Sequence, residues 1–272
     1  MKSLKYLILL APIFLFNCQS PNEKTEFVEV SDVSATGGKE FYELKMYSFA
    51  NEDQVAVTDN FLEKALIPAL NKQGISPIGV FKNRLSEEDT IAKTYVLIPF
   101  KTIDQFLSYE DKLIADQKFL NDGTTYIDAP HDQPPYARIS STLIEAFDLA
   151  PKMNTPDLTG PKSERVYELR SYLGPTEKLH LNKVDMFNTG GEIDIFNRLG
   201  FNAVFYGRAI IGNEQPNLVY MTTFSDMDSR NEHWDAFRTD QQWLDLKEVE
   251  KYKNNMLQAK VFLLYPAEYS QY

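Results

Sequence analysis

The sequence predicts an α+β protein in which a ferredoxin-like β-α-β-β-α-β unit is written twice and the two copies pack as a barrel-like pseudo-dimer. Three observations carry this reading. First, the chain repeats itself at a fixed distance: FYELKMY at 41–47 returns as VYELRSY at 166–172, FKTID at 100–104 answers FSDMD at 224–228, and ADQKFL at 115–120 answers TDQQWL at 239–244. The register hardly drifts, being 125 residues from Tyr42 to Tyr167, 126 from Gly74 to Gly200 and 124 from Asp116 to Asp240. A whole domain is therefore duplicated, not a solenoid unit of ~20–50 residues. Second, each copy shows the same succession of two-residue and helical hydrophobic periods. Third, 272 residues suit two domains of ~100–150 residues each.

The elements of copy one follow in order. Phe41 to Tyr47 alternates by two, with Tyr42, Leu44 and Met46 on one face and Glu43, Lys45 and Tyr47 on the other, a strand pattern. Asn51 to Asn71 carries Phe61, Leu62, Ala65, Leu66 and Leu70 at helical spacing, with Pro68 kinking or shortening the helix and Gly74 ending it. Ile78 to Phe81 and Ile91 to Pro99 read as a strand pair across the turn Ser86-Glu87-Glu88-Asp89. Thr102 caps a second helix reaching about Leu120, and Ala137 to Leu149 supplies the last strand.

Copy two repeats the order. A strand covers 165–173, and a helix covers 176–199 with an interruption at Gly190-Gly191. Strands follow near 202–211 and 217–224, then a helix capped by Asp226 that runs past Trp243, and a final strand from Lys260 to Tyr265. A sheet with helices on one face leaves its other face to cover, so two such sheets bury their bare faces against each other. The predicted organisation is 1–17 signal peptide, 18–39 tether, 40–150 copy one, 151–164 linker and 165–272 copy two. The linker is rich in turn formers, from Pro151 through Gly160-Pro161.

The signal peptide rests on the basic start Met1 to Lys5 and the apolar run Tyr6 to Phe16. That run is too short to span a bilayer, which needs ~20 residues. Leu15-Phe16-Asn17-Cys18 resembles a bacterial lipobox, with Asn17 standing where a small residue is usual. Cys18, the single cysteine, is thus the predicted lipid-attachment residue, and the polar, turn-rich stretch behind it the tether. The expected location is the cell envelope of a bacterium, on the periplasmic side or at the outer membrane. Plain secretion with a free thiol is the alternative. A formal charge of −11 argues against a nucleic-acid partner, which calls for a basic surface.

Catalytic signatures are missing from the sequence. Gly74 to Gly79 lacks the Lys-Ser/Thr of a phosphate loop, and neither a GxGxxG nor a GxSxG occurs. His131, His180 and His233 lie far apart without metal-ligand spacing. His180 and His233 fall on helices, where the plain reading is a surface histidine and the functional one a haem ligand or general base. No catalytic set, cofactor or metal site is assigned.

Copy two resembles the NIPSNAP family of the dimeric α/β-barrel group. The likeness rests on Tyr167 to Tyr172, Gly200, Tyr220 to Phe224, Arg230, Asp240, Trp243 and the closing Leu263-Leu264-Tyr265-Pro266. Copy one keeps Tyr42-Glu43-Leu44 and Asp116 to Phe119, with Phe119 in place of the tryptophan and Phe106 in place of Arg230. The resemblance implies the fold. It implies no activity, because structural cousins in the barrel group include cofactor-independent monooxygenases and haem enzymes, and fold kinship does not transfer chemistry.

The alternation places Glu43, Lys45 and Tyr47, and likewise Glu168, Arg170 and Tyr172, on the face turned from the helices towards the other copy. Structurally, neighbouring charges then satisfy one another, Arg170 pairing with Glu168 or, across the sheets, with Glu43. Functionally, Arg170, Tyr172, Phe205, Tyr220 and His233 form a candidate ligand cavity, Arg170 orienting a polar group while the aromatics hold an apolar body. Arg230, Asp240 and Trp243 read as a packing and ion-pair clasp, with Trp243 buried against the sheet. The leading functional expectation is a lipid-anchored, non-enzymatic module that binds a small apolar ligand or an envelope protein. A cofactor-independent oxygenase acting on an aromatic or polyketide-like molecule is the rival, and self-association is open under either.

Overall fold

A computed structural model describes residues 38–85, 91 and 93–272. The predicted signal peptide, Cys18, nearly all of the tether and the turn at 86–89 lie outside the described residues. Copy one comprises β1 (Phe41–Ser48), α1 (Glu52–Phe61), a π-helical turn (Leu62–Leu66), α2 (Ile67–Lys72), β2 (Gly79–Asn83), β3 (Thr94–Phe100), α3 (Ile103–Ile114), α4 (Gln117–Asp122), α5 (Thr124–Ile127) and β4 (Arg138–Ala146). Copy two comprises β5 (Val166–Leu173), α6 (Glu177–Phe187), α7 (Glu192–Arg198), β6 (Asn202–Ile211), β7 (Asn217–Phe224), α8 (Met227–Thr239), α9 (Gln241–Glu248) and β8 (Gln258–Pro266), with a short 3₁₀ turn at Glu250–Tyr252.

Local chemistry explains the boundaries. Asn51, Thr102, Thr176 and Asp226 each accept a backbone N–H of the first helical turn through a side-chain oxygen, at 3.0, 3.2, 3.2 and 2.8 Å. Pro68 falls in the first turn of α2, where its missing N–H is covered by the preceding π-helical turn, so the helix runs on through it. Gly74 and Gly200, 126 residues apart, follow α2 and α7 in the left-handed region, at φ +74° and +77°. Asp116 and Asp240 cap α4 and α9 in equivalent fashion and pair with Lys72 and Arg198 at 2.7 and 2.8 Å.

The strands close into one antiparallel barrel in the order β1-β3-β2-β8-β5-β7-β6-β4. Each copy contributes four adjacent strands in the same order, and the seams join the last strand of one copy to the second strand of the other. Phe81 faces Pro266 at one seam and Ala146 faces Gly207 at the other. Closure leaves no edge strands, which answers the pairing hazard of an open sheet. Three cores result. One lies under the helices of copy one around Phe61, Leu70, Ile98 and Phe100, and one under those of copy two around Phe187, Phe196, Phe201 and Trp234. The third fills the barrel itself, from Tyr42, Phe81, Leu97 and Ile144 of one copy and Tyr167, Leu169, Phe205 and Met221 of the other.

The barrel corrects the predicted facing of the first strands. Tyr42 and Leu44, and Tyr167 and Leu169, point into the barrel, towards the other copy. Tyr47 and Tyr172, with the charged residues that share their face, point outward beneath the helices. In a closed barrel covered by helices both faces of a strand are buried, so alternation alone does not tell which is which.

Candidate functional site

The charged stripe is paired under the helices. In copy two, Glu168 is fully buried and accepts from Arg170 Nε at 2.6 Å, Arg230 Nε at 2.7 Å, Arg230 Nη2 at 3.2 Å and Trp234 Nε1 at 2.8 Å. Arg170 lies 3.7 Å from the centre of the Trp234 ring and donates to Tyr172 Oη at 3.0 Å, and that hydroxyl meets Tyr220 Oη at 2.8 Å. Burial alone pushes the Glu168 carboxyl up, but the hydrogen bonds and charges of Arg230 and Arg170 outweigh it and hold it below its ordinary range. Copy one builds a leaner version. Glu43 accepts from Tyr109 Oη at 2.7 Å and Ser141 Oγ at 2.6 Å, and Lys45 donates to Tyr109 at 2.9 Å.

Tyr109 and Trp234 stand 125 residues apart, on α3 and α8. The sequence reading overlooked both, although the repeat marks them as equivalent positions. The expected Arg170–Glu168 pair forms. Glu43 is no cross-sheet partner, since it sits under the helices of its own copy.

The candidate cavity set does not converge. Arg170, Tyr172 and Tyr220 meet beneath α8. Phe205 is on the opposite face, in the barrel interior, 5.2 Å from the Tyr42 ring. The bulge between Ala203 and Phe205 in β6 resets the alternation there. His233 contacts neither group: its Nδ1 lies 2.6 Å from Ser229 O, and its ring packs on Phe201 and Phe224. His180 is buried, not on the surface, and burial lowers its pKa. Trp243 is half-buried and stacks on Phe237 at 4.5 Å, not on the sheet, while Phe119 of copy one is buried against Phe61. Arg230 clasps Glu168 and Asp240 holds Arg198, so these two do not pair with one another.

A different cavity, of about 430 Å³, opens at one end of the barrel between the two copies. Its walls are the inward positions of the strands, Leu44 and Met46 of β1, Tyr95 of β3, Leu169 of β5, Val219 of β7 and Phe262 of β8. Leu44 and Leu169 are equivalent residues on opposite walls, so the cavity lies on the pseudo-twofold axis. Equivalent positions differ elsewhere, Met46 against Ser171 and Tyr95 against Val219, which makes the two walls unlike in shape and polarity. The barrel end beyond Leu169 is filled by aromatic rings, with Phe81 and Tyr167 4.9 Å apart and Tyr272 5.7 Å from Phe81. The mouth carries Lys93, Ser140, Thr142, Ser171, Asn213, Glu214, Asn217 and Lys260. The sequence reading singled out none of these as site residues; periodicity ranks them as ordinary strand ends and loop.

A larger depression, about 740 Å³, lies between residues 149–155 and β6, lined mainly by polar side chains and backbone with Lys152 and Tyr206 its titratable groups among the described residues, and it lacks the apolar wall of the barrel mouth. Among the described residues, no group of three His, Cys, Asp or Glu side chains converges as metal ligands, and no helix is long and apolar enough to cross a membrane.

Residues 167–271 match the NIPSNAP family model. In three dimensions the chain is similar to two proteins proposed to be monooxygenases. One, from Lactobacillus acidophilus, gives a TM-score of 0.54 at 10% identity over 84% of this chain and 94% of that one. The other, from Fusobacterium nucleatum, gives 0.52 at 10% identity over 84% and 93%. At such identity the likeness shows the fold alone, that of the dimeric α/β barrels. A NIPSNAP family protein of unknown function from Agrobacterium tumefaciens is 24% identical over 40% of this chain and 93% of its own length, with a TM-score of 0.34. No curated protein matches the sequence. The match to the NIPSNAP model thus falls on the second copy, which is joined in one chain to a first copy of the same strand order that completes its barrel.

Proposed function

We propose that this protein is a lipid-anchored module of the bacterial envelope that binds a small, largely apolar molecule in the mouth of its barrel and does no chemistry on it. The observation that carries the reading is the 430 Å³ cavity on the pseudo-axis, walled by apolar side chains and rimmed by polar ones. Its size falls within the ~300–1,000 Å³ of small-molecule sites, and its division into apolar wall and polar rim is their usual composition. Duplication supports the same reading. A fused pair can diversify the two walls separately, as Met46 against Ser171 illustrates, whereas a symmetric homodimer cannot. The oxygenase alternative needs a group to draw a proton from the substrate. Among the described residues the titratable side chains lining the cavity are Lys93, Tyr95, Glu214 and Lys260, and Glu214 is already ion-paired with Lys260. Anchoring rests on the lipobox-like Leu15 to Cys18 alone.

The test is a titration with a neutral, environment-sensitive naphthylamine dye. The wild-type protein should bind one dye per chain with a blue-shifted emission. Met46→Trp, which adds bulk at a half-buried position of the wall, should abolish binding while leaving the melting temperature within a few degrees. Dye binding unchanged by Met46→Trp would refute the barrel mouth as the site.

A further inference from the structure

We infer that the ligand of this cavity is an amphiphile with a carboxylate head, an inference that rests on the barrel-mouth reading above. The body is set by the walls: Leu44, Leu169, Val219 and Phe262 offer no hydrogen-bonding side chain, and the aromatic rings beyond them limit how deep a chain can reach. The head is set by the mouth, where donors prevail. Lys93 comes from copy one and Lys260 from copy two, so among the described residues two of the three formally charged side chains lining the cavity are cationic. The Asn217 amide oxygen is already engaged. Ser171 Oγ donates to Asn217 Oδ1 at 2.9 Å with both residues buried, which turns the amide nitrogen away from that bond.

The third charged side chain indicates what the lysines are shaped to hold. Glu214 sits on the loop between β6 and β7 and reaches across to Lys260 on β8 as a hydrogen-bonded ion pair. Asn213, beside it, pins the same loop to Ser140 of β4 in the other copy at 2.6 Å. The protein thus places a carboxylate of its own on Lys260 at the cavity entrance. A ligand carboxylate entering body first would take that place, exchanging one charge-assisted pair for another, while Glu214 returns to solvent that it already half faces. A neutral head would have to break the Glu214–Lys260 pair without replacing it.

Displacement of the naphthylamine dye by decanoate and by decanol, matched in chain length, tests this at neutral pH. Decanol is the more hydrophobic of the two, so an unspecific apolar site favours it. For the wild-type protein, decanoate should displace the dye at concentrations about tenfold lower than decanol, the effect of one charge-assisted contact. Lys260→Met should remove that preference, decanoate and decanol being compared on the variant against the variant's own dye affinity. Glu214→Gln, which leaves Lys260 without its carboxylate, should strengthen decanoate binding several-fold and keep it ahead of decanol. Decanol equal to or tighter than decanoate on the wild-type protein would overturn the inference, as would Glu214→Gln weakening decanoate. Failure of the dye itself to bind, or its indifference to Met46→Trp, would instead bring down the barrel-mouth reading on which the inference stands.

Discussion

Replacing Arg170 by methionine keeps an apolar stem under α8 and removes the guanidinium that links Glu168, Trp234 and Tyr172. Three interactions go: the 2.6 Å bond to Glu168, the 3.0 Å bond to Tyr172 and the stacking at 3.7 Å over the Trp234 ring. A hydrogen bond to a charged group contributes ~1.5–3 kcal/mol, and a desolvated cation–π contact ~2 kcal/mol. Stranding a buried partner altogether costs ~3–5 kcal/mol, but Glu168 keeps Arg230 and the Trp234 N–H, and the variant no longer buries a guanidinium. The expected loss is therefore about 3 kcal/mol, which for a domain of this size lowers the melting temperature by roughly 6–12 °C. Lys45→Met, the equivalent change in copy one, should cost less, about 1–2 kcal/mol, because Glu43 retains both Tyr109 and Ser141. Urea unfolding followed by circular dichroism gives both values. A loss below about 1 kcal/mol for Arg170→Met, or a larger one for Lys45→Met, would refute the reasoning.

Three further outcomes are expected. Because the folded Glu168 pKa is lowered, its ionisation stabilises the protein above the unfolded value of ~4.3, and that stability is lost as pH falls through the folded pKa. The stability gap between wild type and Glu168→Gln, read from melting curves, should be full above about pH 5 and close below it; a gap that widens in acid would contradict the assignment. Lys183 and Glu192 form a buried pair at 2.9 Å, and burial pushes the Glu192 carboxyl up despite Lys183. Lys183→Met alone should cost ~3–5 kcal/mol in a denaturant titration, whereas Lys183→Met with Glu192→Leu should recover to within about 1 kcal/mol of wild type. Cys18→Ala should release the protein from the membrane fraction or leave it unprocessed, and a processed, acyl-labelled variant that still fractionates with membranes would end the anchoring proposal.

The repeat made most of the fold legible. Two Tyr-Glu-Leu strands, paired glycines ending paired helices, and Asp116 and Asp240 as equivalent caps are local signals, and local hydrogen bonding decides them. What the sequence left ambiguous came from closure. Glu168-Leu169-Arg170 alternates cleanly, but both of its faces are buried, and only α8, 62 to 66 residues further on, supplies the Arg230 and Trp234 that make the outward face the charged one. Phe205 changed sides because one bulge resets β6, and a bulge leaves no mark in the hydrophobic pattern. The cavity residues were hidden for another reason. Lys93, Glu214 and Lys260 are scattered over 168 residues and two copies, and only the barrel brings them to one mouth.

A native mass spectrum of the protein purified in mild detergent, beside that of Met46→Trp, decides whether the barrel mouth holds a ligand in the cell. The wild-type chain should carry one small molecule, identifiable as a carboxylic acid after organic extraction, and the variant should fly without it. The same adduct on both proteins would put the ligand outside the barrel, and a bare mass for both, with no dye bound in the titration, would leave the cavity without a binding role.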